Sequence, residues 1–257
     1  MDEIEVIQVN ADDVEVEDPV FVEGLPGVGH VGKLVVEHLI EEFDSTVMYR
    51  IYSQYFPPQS SVDEDGVAEI VHAEIHYCDV DGKDVVVLSG DHQSQTIDGH
   101  YKITEKLLEI AKEVDVEKIY TLGGVATGEM VEEYEVLGAA NEESLVEELG
   151  DTGVKFGEGE PSGGIIGVSG LLLGLGELRG FPAVCLMGQT SGYIVDPKSA
   201  KAVLKVLMQA LDFEVDMSSL EERAEDMEEV VKKLEDMNRE VEQMPKFTGD
   251  DDLRYIG

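Results

Sequence analysis

The run Gly24-Leu25-Pro26-Gly27-Val28-Gly29-His30-Val31-Gly32-Lys33 narrows the fold more than any other part of this chain. It follows an apolar strand-like segment, Pro19 to Val22, and opens a helical pattern in which Val31, Leu34, Val35, Leu39 and Phe43 recur every three or four residues. A strand that turns tightly into a helix belongs to a layered α/β arrangement, because parallel neighbours are reached only through such crossovers.

The rest of the chain repeats the theme. Ile4 to Val9 and Thr46 to Ile51 read as strands, and residues 57–61 as an exposed loop. Val67 to Val80 and Lys83 to Ser89 read as an antiparallel pair joined by Asp81-Gly82, residues that suit a tight turn with positive φ. A helix is expected over about 99–114 and strands over 118–122 and 134–140, followed by a short helix capped by Asn141. An apolar helix over 165–178, a buried strand over 183–187 and a helix opened by Asp196-Pro197 and running to Leu211 complete the pattern. The expected architecture is a three-layer αβα sandwich with a mixed, mostly parallel sheet that an antiparallel hairpin extends. One α/β domain spans residues 1–215.

After Asp216 the chain becomes a long charged helix, 216–244, with a capping-box signature at Ser218 or Ser219. Leu220, Met227, Leu234, Asn238 and Val241 fall on one stripe that reads either as a short heptad seam or as the buried face of a terminal helix lying on its own domain. Pro245 ends it, leaving residues 245–257 as a flexible acidic tail.

Charge bears on setting and partners. Asp and Glu number 57 against 18 Lys plus Arg, a formal charge of −39, interleaved with apolar runs such as Val85 to Leu88. The acids therefore decorate a folded surface, and 42% hydrophobic residues suffice for a core. Such a surface repels itself until salt shortens the Debye length to about 3 Å near 1 M, so the expected source is a halophile. Nucleic acid is excluded as the main partner for want of phosphate-neutralising cations. No apolar run approaches membrane-spanning length, and the start has no basic or apolar leader, so a cytoplasmic protein is expected. Cys78 and Cys185 read as reduced core thiols.

Several candidate sites invite chemistry. Gly27, Gly29 and Gly32 fit GxGxxG, and with Lys33 they fit GxxxxGK, both of which place backbone amides against phosphates. Each lacks its confirming partner: no acid follows at the end of the next strand, and Leu34 stands where a magnesium-binding hydroxyl belongs. A tight turn with close backbone packing is the alternative. His72, Glu74 and His76 share one strand face, but the imidazoles of an extended strand stand about 13 Å apart there, so no metal is expected. Asp91 and His92 lie at the carboxyl edge of a core strand where ligands collect, with Thr190 nearby; extended, they point apart. No catalytic residue and no cofactor is assigned. The enzyme alternative is a nucleotide-binding ATP-grasp-like ligase or a phosphorylase-like enzyme working through the glycine-rich loop.

The segments Glu23 to Gly32, Gly123 to Gly128, Ser169 to Leu173, Leu186 to Tyr193 and then Asp196-Pro197, in this order, resemble successive signatures of the archaeal branch of the proteasome assembly chaperone family, over about residues 20–210. That resemblance implies a phosphorylase-like three-layer fold without catalytic equipment, self-association into homo-oligomers, and docking on proteasome α-subunits or a related assembly factor. Family members that engage the proteasome commonly end in a hydrophobic residue, a tyrosine and any residue. Here Tyr255 is third from the end and Ile256 takes the tyrosine position. The resemblance thus implies a docking tail of Leu253, Tyr255, Ile256 and Gly257 in a shifted register.

Overall fold

The computed structural model describes residues 3–62, 65–157 and 164–227. Its strands are β1 (Ile4–Gln8), β2 (Val20–Glu23), β3 (Thr46–Ser53), β4 (Ser60–Val62), β5 (Ala68–Ile70), β6 (Ala73–Val80), β7 (Lys83–Gly90), β8 (Lys118–Ala126), β9 (Val136–Ala140) and β10 (Ala183–Thr190). The helices are α1 (Val31–Glu42), α2 (Ile97–Glu113), α3 (Glu143–Glu148), α4 (Val168–Arg179) and α5 (Pro197–Leu211).

Eight strands form one mixed sheet in the order β1-β3-β6-β7-β2-β8-β10-β9, and β4 pairs with β5 apart from it. The centre, β7-β2-β8-β10, is parallel, while the flanks on either side are antiparallel. Alternation along the central strands explains the three layers, since successive side chains point to opposite faces. Phe21, Ile119 and Cys185 pack with Ile103 and Leu107 of α2 and Leu172 of α4. One residue on, Val22, Tyr120 and Leu186 pack with Val35 of α1 and Val203 and Leu204 of α5 on the other face.

Local chemistry fixes the element ends. Asp81 and Gly82 both take positive φ, 54° and 80°, and close the β6–β7 hairpin. Thr96 caps α2 by accepting from the Gly99 amide, and Asp196 caps α5 by accepting from Ser199, with Pro197 in the first turn. α4 starts at Val168 rather than at 165, because Gly167 at φ +90° breaks the helical path.

The structure corrects three local expectations. Residues 57–61 are not wholly loop: Ser60 and Ser61 pair with Ile70 and Glu69. The strand expected over 67–80 breaks at Val71 and His72 into β5 and β6. Asn141 does not cap α3; its amide donates to Leu173 O and Phe181 O and accepts from Ala183 N, pinning the α4–β10 connection to the sheet. Glu142 holds the cap position with no side-chain bond.

Of the long helix expected over residues 216–244, residues 218–227 are described and helical. The expected division at 216 crosses a packed region. Leu220 is fully buried within the same cluster as α1 and α5. His38 of α1, also fully buried, contacts Asp216 O (2.7 Å) and Ser219 Oγ (3.0 Å), and Arg223 and Glu221 pair with Glu41 and Lys201. Leu234, Asn238, Val241 and the tail Leu253, Tyr255, Ile256 and Gly257 lie outside the described residues.

Candidate functional site

The glycine-rich turn leaves β2 and enters α1 with little room to spare. A Cβ on Gly32 would stand 2.1 Å from Leu122 O, and one on Gly24 2.4 Å from Gly32 O, so these glycines let α1 lie directly against the sheet. Gly29 takes φ +64° and faces Thr190, whose hydroxyl would be 2.9 Å from an added Cβ. Asp196 N donates to Gly29 O and ties this turn to the start of α5. Gly27 alone borders open space.

Lys33 does not wait for a phosphate. Its ammonium donates to Asp91 at 2.5 Å and pairs with Glu37 at 3.3 Å, and the lysine holds the Asp91 carboxyl below its ordinary range. His92 Nε2 accepts from the Gln59 amide at 2.7 Å, and Asp91 and His92 border one pocket together with Gln59, His72 and Glu74. Gly29 and Thr190 therefore meet, while the Lys33–Asp91 ion pair stands at the edge of the pocket that Asp91 and His92 share.

The same pocket is lined by His72 and Glu74, with His76 beside Glu74. The strand break at Val71 and His72 overturns the wide separation expected of an extended strand: both imidazoles reach Glu74, each Nε2 3.3 Å from one of its oxygens, and Glu74 also accepts from Arg50 Nε at 2.9 Å. The His76 hydrogen bond, with help from His72 and Arg50, holds the Glu74 carboxyl at about 2 despite its burial. An ion-paired carboxylate accounts for this face, and among the described residues no group of three or more His, Cys, Asp or Glu side chains is arranged to hold a metal ion.

A more constrained constellation lies on the other side of the glycine turn. Glu23 ends β2, and Thr121 of β8 and Cys185 of β10 stand directly opposite in register, forming a polar row on the face that α2 and α4 cover. Glu23 is fully buried. Its Oε1 accepts from Leu25 N at 2.9 Å and its Oε2 from Ser169 Oγ, in the first turn of α4, at 2.8 Å. Burial pushes its carboxyl up to about 7 against these two bonds, so the carboxyl takes up and releases a proton near neutrality. The same burial pushes the Cys78 and Cys185 thiols up to about 12, and both cysteines are free.

Above this row opens a cleft of about 600 Å³ at the carboxyl ends of β2, β8 and β10, bordered by Gln93, His100, Gly123, Ser169, Cys185 and Met187 among others. Gln93 braces it, donating to Pro26 O and accepting from Val168 N. The sequence reading placed a ligand edge near Asp91 and Thr190 and overlooked Glu23, Ser169 and His100. The available signal was Glu23 itself, a lone acid closing an otherwise apolar strand.

Comparison with known proteins agrees with this architecture. The model of the PAC2 family matches residues 21–235. An uncharacterized protein of Methanocaldococcus jannaschii is 37% identical over 257 residues, covering 99% of this chain and 98% of its own. The crystal structure of Pyrococcus furiosus PbaB, described as an archaeal proteasome activator, is 36% identical, covers 91% of this chain and 100% of its own, and superposes with a TM-score of 0.84. Pyrococcus furiosus PbaA, described as an archaeal homolog of proteasome-assembly chaperone, is 27% identical, with coverages of 93% and 94% and a TM-score of 0.77. Matched along most of its length by the family model and aligned end to end with an archaeal relative, this chain belongs to the PAC2 family.

Proposed function

We propose that this chain is a non-catalytic proteasome-docking protein, an assembly chaperone or activator that self-associates and engages proteasome α-subunits in the cytoplasm of a salt-rich cell. The observation that carries this reading is the 36% identity and 0.84 TM-score to PbaB, described as a proteasome activator, across the whole of that chain. Similarity to PbaA, described as a homolog of proteasome-assembly chaperone, points to the same machinery.

The base of the terminal helix supports the reading physically. Leu220 and Ala224 bury against the body, while His38, Glu41 and Lys201 hold the flanking polar groups. A helix anchored in this way carries whatever follows it from a fixed point, which suits a C-terminal docking element built from Leu253, Tyr255, Ile256 and Gly257. Leu220 is committed to its own domain, so self-association through the stripe rests on Met227, Leu234, Asn238 and Val241. Lys33, paired with two acids, lends no support to the nucleotide-binding alternative.

The test is capture and peptidase activity with purified proteasome core particles from the same organism, in molar salt. The full chain captures α-subunits and changes the rate of peptide hydrolysis; truncation of residues 253–257 and Tyr255→Ala weaken both, with circular dichroism and molar mass unchanged. Absence of capture and of any rate change by the folded full chain overturns the proposal.

A further inference from the structure

We propose that the face at the carboxyl edge of the sheet, centred on Ile166 and Tyr193, pairs with the same face of a second copy of this chain about a two-fold axis. The inference deepens the self-association proposed above, rests on that part of it, and is independent of proteasome docking.

Connections from different parts of the chain build the face. Val28 follows β2, Tyr193 and Val195 follow β10, and Ile166 precedes α4, all at the edge where the central parallel strands end. Ile166 is 89% exposed and Tyr193 77%, with Val28 and Val195 exposed beside them. Backbone bonds tie these loops into one surface: Thr127 N donates to Thr190 O, and Asp196 N donates to Gly29 O. A Cβ on Gly192 would stand 3.7 Å from Val28 Cγ1, so the β2 and β10 connections touch. Val28 and Ile166 border the same cleft. Single apolar residues on a surface are ordinary, but a contiguous set around a recess marks an interaction surface.

Charge selects the partner. Residues 24–30, 123–128, 164–169 and 190–195, which supply this face, contain no Asp or Glu, although acids make up 57 of the 257 residues. Two copies that each carry a formal charge of −39 repel wherever acids meet acids, and here they approach with the least repulsion. A cationic partner finds nothing to pair with on such a face. Glu129 lies exposed at its border, where water and salt screen it.

Shape then points to self-pairing. Ile166 stands at the rim of the cleft of about 600 Å³, whose apolar walls include Leu25, Leu122 and Met187. Protrusion and recess therefore lie side by side, and an isologous interface needs that arrangement because each copy must supply both. A two-fold axis beside Ile166 seats each copy's Ile166 in the other's cleft and removes an exposed apolar side chain from water. Tyr193 lies alongside with its hydroxyl donating to Gly128 O at 3.2 Å. A ring held in place before association loses little freedom when it is buried, which suits an interface anchor.

The test is the molar mass of the full chain by sedimentation equilibrium in molar salt, across a concentration series. The parent associates. Ile166→Glu changes a side chain that the fold leaves in solvent; it halves the molar mass where the parent is assembled, raising the dissociation constant by about tenfold or more. Gly123→Val fills the recess, since the nearest atom to an added Cβ is Met187 Cγ at 3.9 Å, and weakens association by about fivefold or more. Leu178→Glu, at a residue 72% exposed near the opposite edge of the sheet, keeps the parental molar mass and controls for the added charge. Circular dichroism and thermal midpoint stay parental in all three variants. A parent that is monomeric throughout overturns both the self-association reading and this inference. Parental molar mass in folded Ile166→Glu overturns this inference alone and leaves self-association to the stripe of the terminal helix. Parental association in folded Gly123→Val overturns the seating of Ile166 in the cleft. If the parent is monomeric and Ile166→Glu loses capture of proteasome α-subunits, the face belongs to that protein, and the second copy is overturned as its occupant.

Discussion

Glu23→Gln removes a charge that the fold buries at the end of its central strand while keeping the side chain's shape. The Gln carbonyl oxygen still accepts from Leu25 N, and the Ser169 hydroxyl accepts from the new amide instead of donating. In the parent, burial raises the carboxyl from 4.5 to about 7. The folded state therefore binds this proton more tightly than the unfolded chain does. The stability that follows is fully present below about pH 4.5 and is lost as pH rises through about 7. A rise from 4.5 to about 7 corresponds to a loss on the order of 3 kcal/mol across the window. Other acids also titrate there, so the parent's curve alone does not isolate the effect. Urea denaturation of both proteins in the same molar salt, at intervals from pH 5 to pH 8.5, isolates it by difference. Relative to the parent, the variant gains on the order of 3 kcal/mol between the ends of the range, most of it between about pH 5.5 and 7.5. Parallel curves, with a difference constant to about 0.5 kcal/mol, would refute the assignment of a proton-exchanging carboxyl to this site.

Gly32→Ala places a methyl group 2.1 Å from Leu122 O and forces α1 off the sheet, a loss of about 2–3 kcal/mol or more in urea denaturation; an unchanged midpoint refutes the close-packing account of the glycine turn. His38→Ala removes both contacts to the base of the terminal helix, so hydrogen exchange accelerates at Leu220 and Glu221 while the central strands stay protected, at a cost of about 1–3 kcal/mol; unchanged exchange there refutes the anchoring role. The formal charge of −39 predicts that stability falls as salt is lowered from about 2 M to about 0.1 M, followed by circular dichroism; equal stability at both ends refutes the halophile argument.

The sequence by itself determined the layers and most element ends, because those depend on neighbours in the chain. The Val31 to Phe43 periodicity fixed α1, Asp81-Gly82 fixed the hairpin, and Asp196-Pro197 fixed the start of α5, each through local sterics or capping. It also carried the family resemblance. Where local chemistry competes with distant partners, the reading failed. Asn141 has the composition of a cap, yet three backbone groups, of residues 173, 181 and 183, claim its amide, and only the packed α4–β10 connection brings them there. Lys33 and Asp91 lie 58 positions apart and meet only once β2 and β7 are paired, which turns a phosphate-loop lysine into half of an ion pair. The candidate cleft was legible only as a lone acid in an apolar strand. Glu23, Thr121 and Cys185 become one row through strand register, and Ser169 reaches Glu23 across 146 positions of chain. Burial at that junction, a property of the assembled layers and of no residue's own chemistry, is what moves the carboxyl to about 7.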